Sequence, residues 1–89
     1  MKIEFRKSFA RDLKRRKNDL PFLDSVKEII EEVEKAESVT DVKDLKKLKG
    51  ASKFYRIRFG NFRIGVKIEG DIVIFIRALP RRDIYRYFP

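Results

Sequence analysis

The 89-residue chain contains no cysteine, which removes disulfide bridges, thiolate nucleophiles and cysteine-based zinc sites together. It contains no histidine either, so the most frequent general base and the commonest metal ligand are both missing. Long apolar runs are lacking. The longest, residues 72–76, covers five positions, against the roughly 20 that a membrane-crossing helix needs. The first residues include Lys2, Glu4, Arg6 and Lys7, where a secretory signal would require an apolar stretch. These absences predict a soluble, cytoplasmic domain with no membrane segment, no metal and no cofactor.

What is present is hydrophobic enough to fold and strongly basic. Apolar residues make up 43% of the chain, more than a disordered segment carries, and the length suits one core and one domain over residues 1–89. Lysine and arginine number 23 against 14 acids, a net charge of +9. The excess is sorted along the chain: residues 1–18 balance to +6, residues 19–45 to −6 and residues 46–89 to +9. Such a field steers partners more than it shapes a fold, and its sign points to a polyanion.

Residues 2–5 alternate like a short strand. Ser8 suits the cap of a basic helix reaching about Lys17, with Phe9 and Leu13 four apart on its inner side. Asn18 and Asp19 break it, and Pro21 suits the start of a second helix. There Phe22, Val26, Ile29, Ile30, Val33 and Ala36 recur at helical spacing as one buried stripe. Glu28, Glu32 and Glu34 line its outer side; an acidic helix face is by default a solvated one, and nucleic-acid mimicry is the alternative. Leu45 and Leu48 then fall in a lysine-rich stretch that reads as a weak edge strand whose lysines block edge pairing. Residues 54–59, 62–68 and 72–79 follow as three antiparallel strands, and after Pro80 the chain has room for about one helical turn. The expected fold class is α+β: a two-layer β-α-α-β4 order, with two N-terminal helices on one face of a mainly antiparallel sheet.

The most informative stretch is Tyr55-Arg56-Ile57-Arg58-Phe59-Gly60-Asn61-Phe62-Arg63-Ile64-Gly65-Val66. Gly60-Asn61 calls for a two-residue hairpin turn. That turn sets Phe59 opposite Phe62, Arg58 opposite Arg63, Ile57 opposite Ile64 and Arg56 opposite Gly65. The apolar members face the helices, and Arg56, Arg58, Arg63 and Lys67 share the other face. Like charges directly opposite destabilise a sheet, and conflicts of this kind collect at functional sites. A phosphate gripped between guanidinium groups would resolve it. Solubilising charge is the plainer reading; it suits the lysines of residues 43–53 but not a hairpin face of a single sign. Gly65 marks either a close approach or a bulge. A three-residue turn at residues 69–71 would set Arg77 beside Arg63, whereas a two-residue turn would send Val73 and Phe75 inward. Past Pro80, Arg81, Arg82, Tyr85, Arg86 and Tyr87 interleave rings with guanidinium groups, as single-strand RNA or DNA surfaces do, while Ile84 and Phe88 could anchor the tail.

The segment from Tyr55 to Ile64 resembles the Y-R-I-R-x-G-x-Y-R-V hairpin of the RelE/ParE toxin superfamily. Leu48-Lys49-Gly50 before it and Arg81-Arg82-Asp83-Ile84-Tyr85-Arg86 after it match that family's flanking signatures, in the same order. The resemblance implies a RelE-like, microbial-ribonuclease-like domain, the toxin of a type II toxin–antitoxin pair. It implies entry into the ribosomal A site and cleavage of bound mRNA, in which the 2′-hydroxyl attacks the adjacent phosphate without a metal. Carried over, Arg56 and Arg58 are the two basic positions of the first hairpin strand and Arg63 holds the scissile phosphate. Arg81 is a general acid or charge stabiliser, and Tyr85 stacks on or orients a base. RNA contacts are expected from Lys47, Lys49, Lys53, Lys67, Arg77, Arg82 and Arg86. The sequence departs from the family where some members have lysines at the places of Arg56 and Arg58, and where many have histidine at the place of Pro80. Arginine does not readily act as a base, and Tyr85, Lys49 and Lys53 are the candidate proton acceptors in its place. The implied protein partner is an acidic, RelB-like antitoxin folding over the basic face. A ParE-like gyrase poison and a plain RNA- or antitoxin-binding module are the alternatives.

Overall fold

The computed structural model describes residues 1–89. In chain order the elements are β1 (Lys2–Phe5), α1 (Lys7–Arg15), α2 (Leu20–Lys35), β2 (Leu45–Lys47), β3 (Phe54–Phe59), β4 (Phe62–Glu69), β5 (Ile72–Pro80) and α3 (Arg81–Tyr87). The five strands form one sheet in the order β1-β5-β4-β3-β2, with β1 parallel to β5 and every other pair antiparallel. This is the expected β-α-α-β4 arrangement. No helix is long and apolar enough to cross a membrane.

Helix α2 buries Phe22, Val26 and Val33 and half-buries Ile29 and Ile30, as its helical apolar spacing requires. Asp19 caps it by accepting from the Phe22 N–H. These side chains and Phe9 of α1 meet Ile57, Ile64, Val66, Val73 and Phe75 from the sheet. The β3–β4 register is the one Gly60-Asn61 predicts, residue for residue from Tyr55↔Val66 to Phe59↔Phe62. Gly60 takes φ 53°, a conformation glycine enters without steric penalty.

Helix α1 departs from expectation in its cap. Arg6 occupies the cap position without a side-chain bond, and the Ser8 hydroxyl donates instead to the Ile76 carbonyl at 2.6 Å. The reason lies in the sheet. Strand β1 pairs with β5 only as far as Phe75, so the edge of β5 beyond it lacks a strand partner. Ser8 takes the Ile76 carbonyl, and Asp12, four residues on and so on the same face of α1, accepts from the Ala78 N–H at 2.9 Å. The helix thus does the work of a missing strand, satisfying backbone groups that would otherwise be stranded.

The β4–β5 turn has two residues, because Glu69 pairs with Ile72; Val73 and Phe75 accordingly point into the core. A bulge at Gly65/Val66 then leaves Ile76 unopposed and brings buried Ala78 opposite Ile64. The same bulge returns Arg77 to the face of Arg56, since both stand opposite Gly65, but its guanidinium turns to the sheet edge. Arg77 binds Asp12 through Nε at 2.8 Å and Nη2 at 3.1 Å, with its guanidinium 5.9 Å from the Tyr87 ring centroid. It links α1 to α3 around the sheet edge. Hydrogen bonding to Asp12 raises its pKa above the ordinary arginine value, against the opposing effect of burial.

The tail also differs from the single turn expected. Residues Arg81–Tyr87 form a seven-residue helix, about two turns. Ile84 and Phe88, four apart, are both buried and supply the packing that a short isolated helix lacks. Phe88 lies against Gly65 on the sheet face opposite α1 and α2, so α3 adds a partial third layer there.

Candidate active site

Arg58 and Arg63 stand directly opposite each other on β3 and β4, and Arg56 stands opposite Gly65. Arg63 is buried, with 7% of its surface exposed. The protein has four ion pairs, Arg58–Asp44, Lys67–Glu69, Arg77–Asp12 and Arg82–Asp83, and Arg63 takes part in none. Its Nη1 donates to the Gly60 and Phe62 carbonyls at 3.1 and 2.8 Å, which fixes the guanidinium beneath the hairpin turn. Burial pushes its pKa below the ordinary arginine value; Arg56, Arg81 and Arg58 push the same way, and Tyr85 opposes them. A sequestered cation whose neighbours are further cations is costly in the free protein, because with no acid beside it two carbonyl hydrogen bonds repay only part of its desolvation.

Two contacts bring the C-terminal residues to this place. The Arg81 N–H donates to the Asn61 carbonyl at 2.7 Å, tying the start of α3 to the hairpin turn. Gly65 supplies the second. A Cβ there would come within 2.7 Å of the Phe88 ring, so only glycine lets Phe88 lie flat on the sheet and carry Tyr85 into position. Gly65 therefore serves both readings its sequence context allowed, close approach and bulge.

Beside the arginines, a cleft of about 370 Å³ opens between β2, the loop after it and the C-terminal segment. Lys46, Lys47, Lys49 and Arg56 supply its charge, Leu48, Ala51 and buried Phe88 its apolar lining, and Tyr85 stands at its side. Tyr85 is 62% exposed, so one ring face is open to a flat partner. The Nε of Arg56 is buried there without a hydrogen-bond acceptor, while its Nη1 donates to the Asp44 carbonyl at 3.2 Å. Charged rims, an apolar floor and an exposed ring can grip a phosphodiester and stack its base. Of the three proton-acceptor candidates, Tyr85 and Lys49 line the cleft and Lys53 does not.

The structure thus assembles Arg56, Arg58, Arg63, Arg81 and Tyr85, together with Lys47 and Lys49. The other basic residues expected to touch RNA lie apart from the cleft. Lys67 pairs with Glu69 at 3.0 Å and lies 5.7 Å from the centroid of the Phe54 ring. That pairing holds the Glu69 carboxyl below the usual carboxylate range, with Lys53 adding to the effect. Arg77 is committed to Asp12. Arg82, almost fully exposed, reaches Asp83 at 3.9 Å, and Arg86 lies 6.0 Å from the Tyr87 ring centroid. Sequence reasoning overlooked Lys46, which belongs to the same lysine-rich edge, and Asp44. It also overlooked Asp12, whose signal was its isolation: it is the one acid between Arg6 and Asn18.

Against this geometry, the likenesses to known proteins are consistent. The family profile described as ParE toxin of type II toxin-antitoxin system, parDE, matches residues 3–85. Toxin RelE3 of Methanocaldococcus jannaschii is 47% identical over 90 residues, covering 100% of both chains. A chain in the crystal structure of the RelB-RelE antitoxin-toxin complex from Methanococcus jannaschii is 44% identical. It superposes with a TM-score of 0.77 over 97% of this chain and 99% of that one. A chain of the E. coli DinJ-YafQ complex superposes with a TM-score of 0.64 over 93% and 96% at 14% identity, a likeness of fold alone.

Proposed function

The chain belongs to the RelE/ParE superfamily of toxins from type II toxin–antitoxin systems, and on that premise we propose that it is a ribosome-dependent endoribonuclease cleaving messenger RNA. The observation that carries the proposal is Arg63: buried, without an acid, and ringed by Arg56, Arg58 and Arg81. A protein-binding poison has no use for such a site, whereas a scissile phosphate supplies the missing anion.

In the proposed reaction the RNA's 2′-oxygen attacks the adjacent phosphorus and loses its proton to a side chain at the cleft, Tyr85 or Lys49. The bond from phosphorus to the 5′-oxygen breaks, and that oxygen takes a proton from water as it leaves. The ends are a 2′,3′-cyclic phosphate and a 5′-hydroxyl. Negative charge builds on the phosphoryl oxygens between start and finish, and Arg63, Arg56 and Arg58 are held in place for it beforehand. Arg81 stabilises the leaving oxygen, and Tyr85 stacks on a flanking base. Preorganised charge of this kind is often the largest catalytic contribution, with about 10²–10³-fold lost per donor removed.

The protein partner is an acidic antitoxin of RelB type. A toxin at +9 would otherwise bind RNA continually, and a RelB–RelE complex is the form in which a 44% identical chain was crystallised. The site of action is the cytoplasmic ribosome. The test is primer-extension mapping of a message under translation in a purified system, beside the same RNA without ribosomes. Cuts confined to the translated message and absent with Arg63→Ala and Arg81→Ala are expected. An intact message together with inhibited gyrase supercoiling would replace the nuclease by the ParE-like alternative.

A further inference from the structure

Of Arg56, Arg58, Arg63 and Arg81, only Arg58 has a carboxylate within 4 Å, that of Asp44 at 3.3 Å. Asp44 holds its place independently of that charge. Its backbone lies at φ 59°, in the left-handed region where aspartate, asparagine and glycine are at ease. Its carbonyl accepts from the Arg58 N–H and from Arg56 Nη1, each at 3.2 Å. The carboxylate itself makes one long contact, and the two side chains keep 45% and 58% of their surface in solvent. A pair so open is weak and exchangeable. A phosphodiester, offering shorter bidentate bonds to the same guanidinium, is the better ligand.

We propose that Asp44 is a resident counter-ion of Arg58 that incoming RNA displaces, so that its carboxylate sets the affinity of the site while its carbonyl orients Arg56. This rests on the RNA-cleaving reading above. It separates two functions in one residue: the backbone builds the site, and the side chain competes with the substrate for it.

The experiment measures binding of a fluorescent single-stranded RNA, made uncleavable by 2′-O-methylation, as a function of salt. Asp44→Asn and Asp44→Gly both keep the left-handed conformation and the carbonyl while removing the charge. Each is expected to bind about two- to fivefold more tightly at low salt, the range an exposed ion pair is worth. Because Arg58 neutralises the same phosphate once Asp44 is displaced, the slope of log affinity against log salt is expected to change by less than about 0.7, the share of one phosphate contact on a single strand. In an Arg58→Ala background the gain should vanish. Weaker or unchanged binding by both variants, or a gain that persists without Arg58, overturns the proposal. Cleavage of a translated message is scored separately. Tighter binding without any cleavage by the wild type would sink the nuclease reading and leave the counter-ion standing; cleavage with unaltered binding would do the reverse.

Discussion

Asp12 is the residue whose loss should damage this fold most. Its carboxylate accepts three hydrogen bonds, from Arg77 Nε at 2.8 Å, Arg77 Nη2 at 3.1 Å and the Ala78 N–H at 2.9 Å. Removing one partner of a buried ion pair costs about 3–5 kcal/mol. Arg77 keeps 21% of its side chain exposed and can turn partly to water, which favours the lower end. The Ala78 N–H, in a residue 1% exposed, cannot turn, and an orphaned buried donor costs about 1–3 kcal/mol. These contributions overlap, so Asp12→Ala should lose about 3–4 kcal/mol. That is about a quarter or more of the stability expected for a domain of this size. Asp12→Asn keeps an acceptor for Ala78 and should lose about half as much. Arg77→Met leaves the carboxylate buried and unpaired, and should cost more than Asp12→Asn. Urea unfolding followed by circular dichroism at constant m reads all three, and the double variant should show strong coupling. A loss under about 1 kcal/mol for Asp12→Ala would refute the reasoning, because it would mean that water satisfies the β5 edge unaided. The Arg77 pKa is raised, so the pair's stabilisation is complete below the ordinary arginine value and is lost only as pH rises through the raised one. Base titration of this pair should therefore leave stability unchanged through neutral and mildly alkaline pH.

Gly65→Ala drives a methyl group into the Phe88 ring, and overpacking of this kind costs about 1–3 kcal/mol. Because Phe88 carries Tyr85, cleavage should fall by more than the loss of folded protein explains, read as kcat on protein shown to be folded. The chain has no histidine, and a phenol or an ammonium gives up its proton only in alkaline solution, so cleavage that uses such an acceptor should rise steadily from about pH 6 to 8. The Arg63 pKa is lowered, so any loss of its charge lies on the alkaline side, and a decline should follow only at still higher pH. A plateau already reached between pH 5 and 6 would point instead to an essential carboxylate as the acceptor.

The parts of the molecule legible in the sequence are those with local causes. Gly60-Asn61 dictates a two-residue turn, and every pair of the β3–β4 register follows from it. The α2 stripe follows from spacing alone, and the arginine face follows from the register. The rest depends on contacts between distant segments. Asp12 and Arg77 are 65 residues apart, and no periodicity announces an ion pair across that separation. The Gly65/Val66 bulge shifts β5 by one residue, which alternation alone cannot foresee. Helix α3 exists because Ile84 is buried and Phe88 finds a surface left open by Gly65, a packing gain that overrides the poor prospects of seven helical residues. The lysines of β2 looked like edge protection; the cleft they line exists only once α3 has closed it from the other side.

The most direct measurement pairs stability with activity in Arg63→Met. If Arg63 is a cation kept buried for a phosphate, methionine, which replaces only the aliphatic part of the side chain, should relieve its desolvation and the repulsion of three arginines by more than the two lost carbonyl hydrogen bonds cost. Unfolding should then move to higher urea by about 1–3 kcal/mol equivalent, while cleavage of a translated message falls at least about 100-fold. Cleavage retained at the wild-type rate would contradict that role for Arg63. So would stability and cleavage falling together, which would make Arg63 a structural residue.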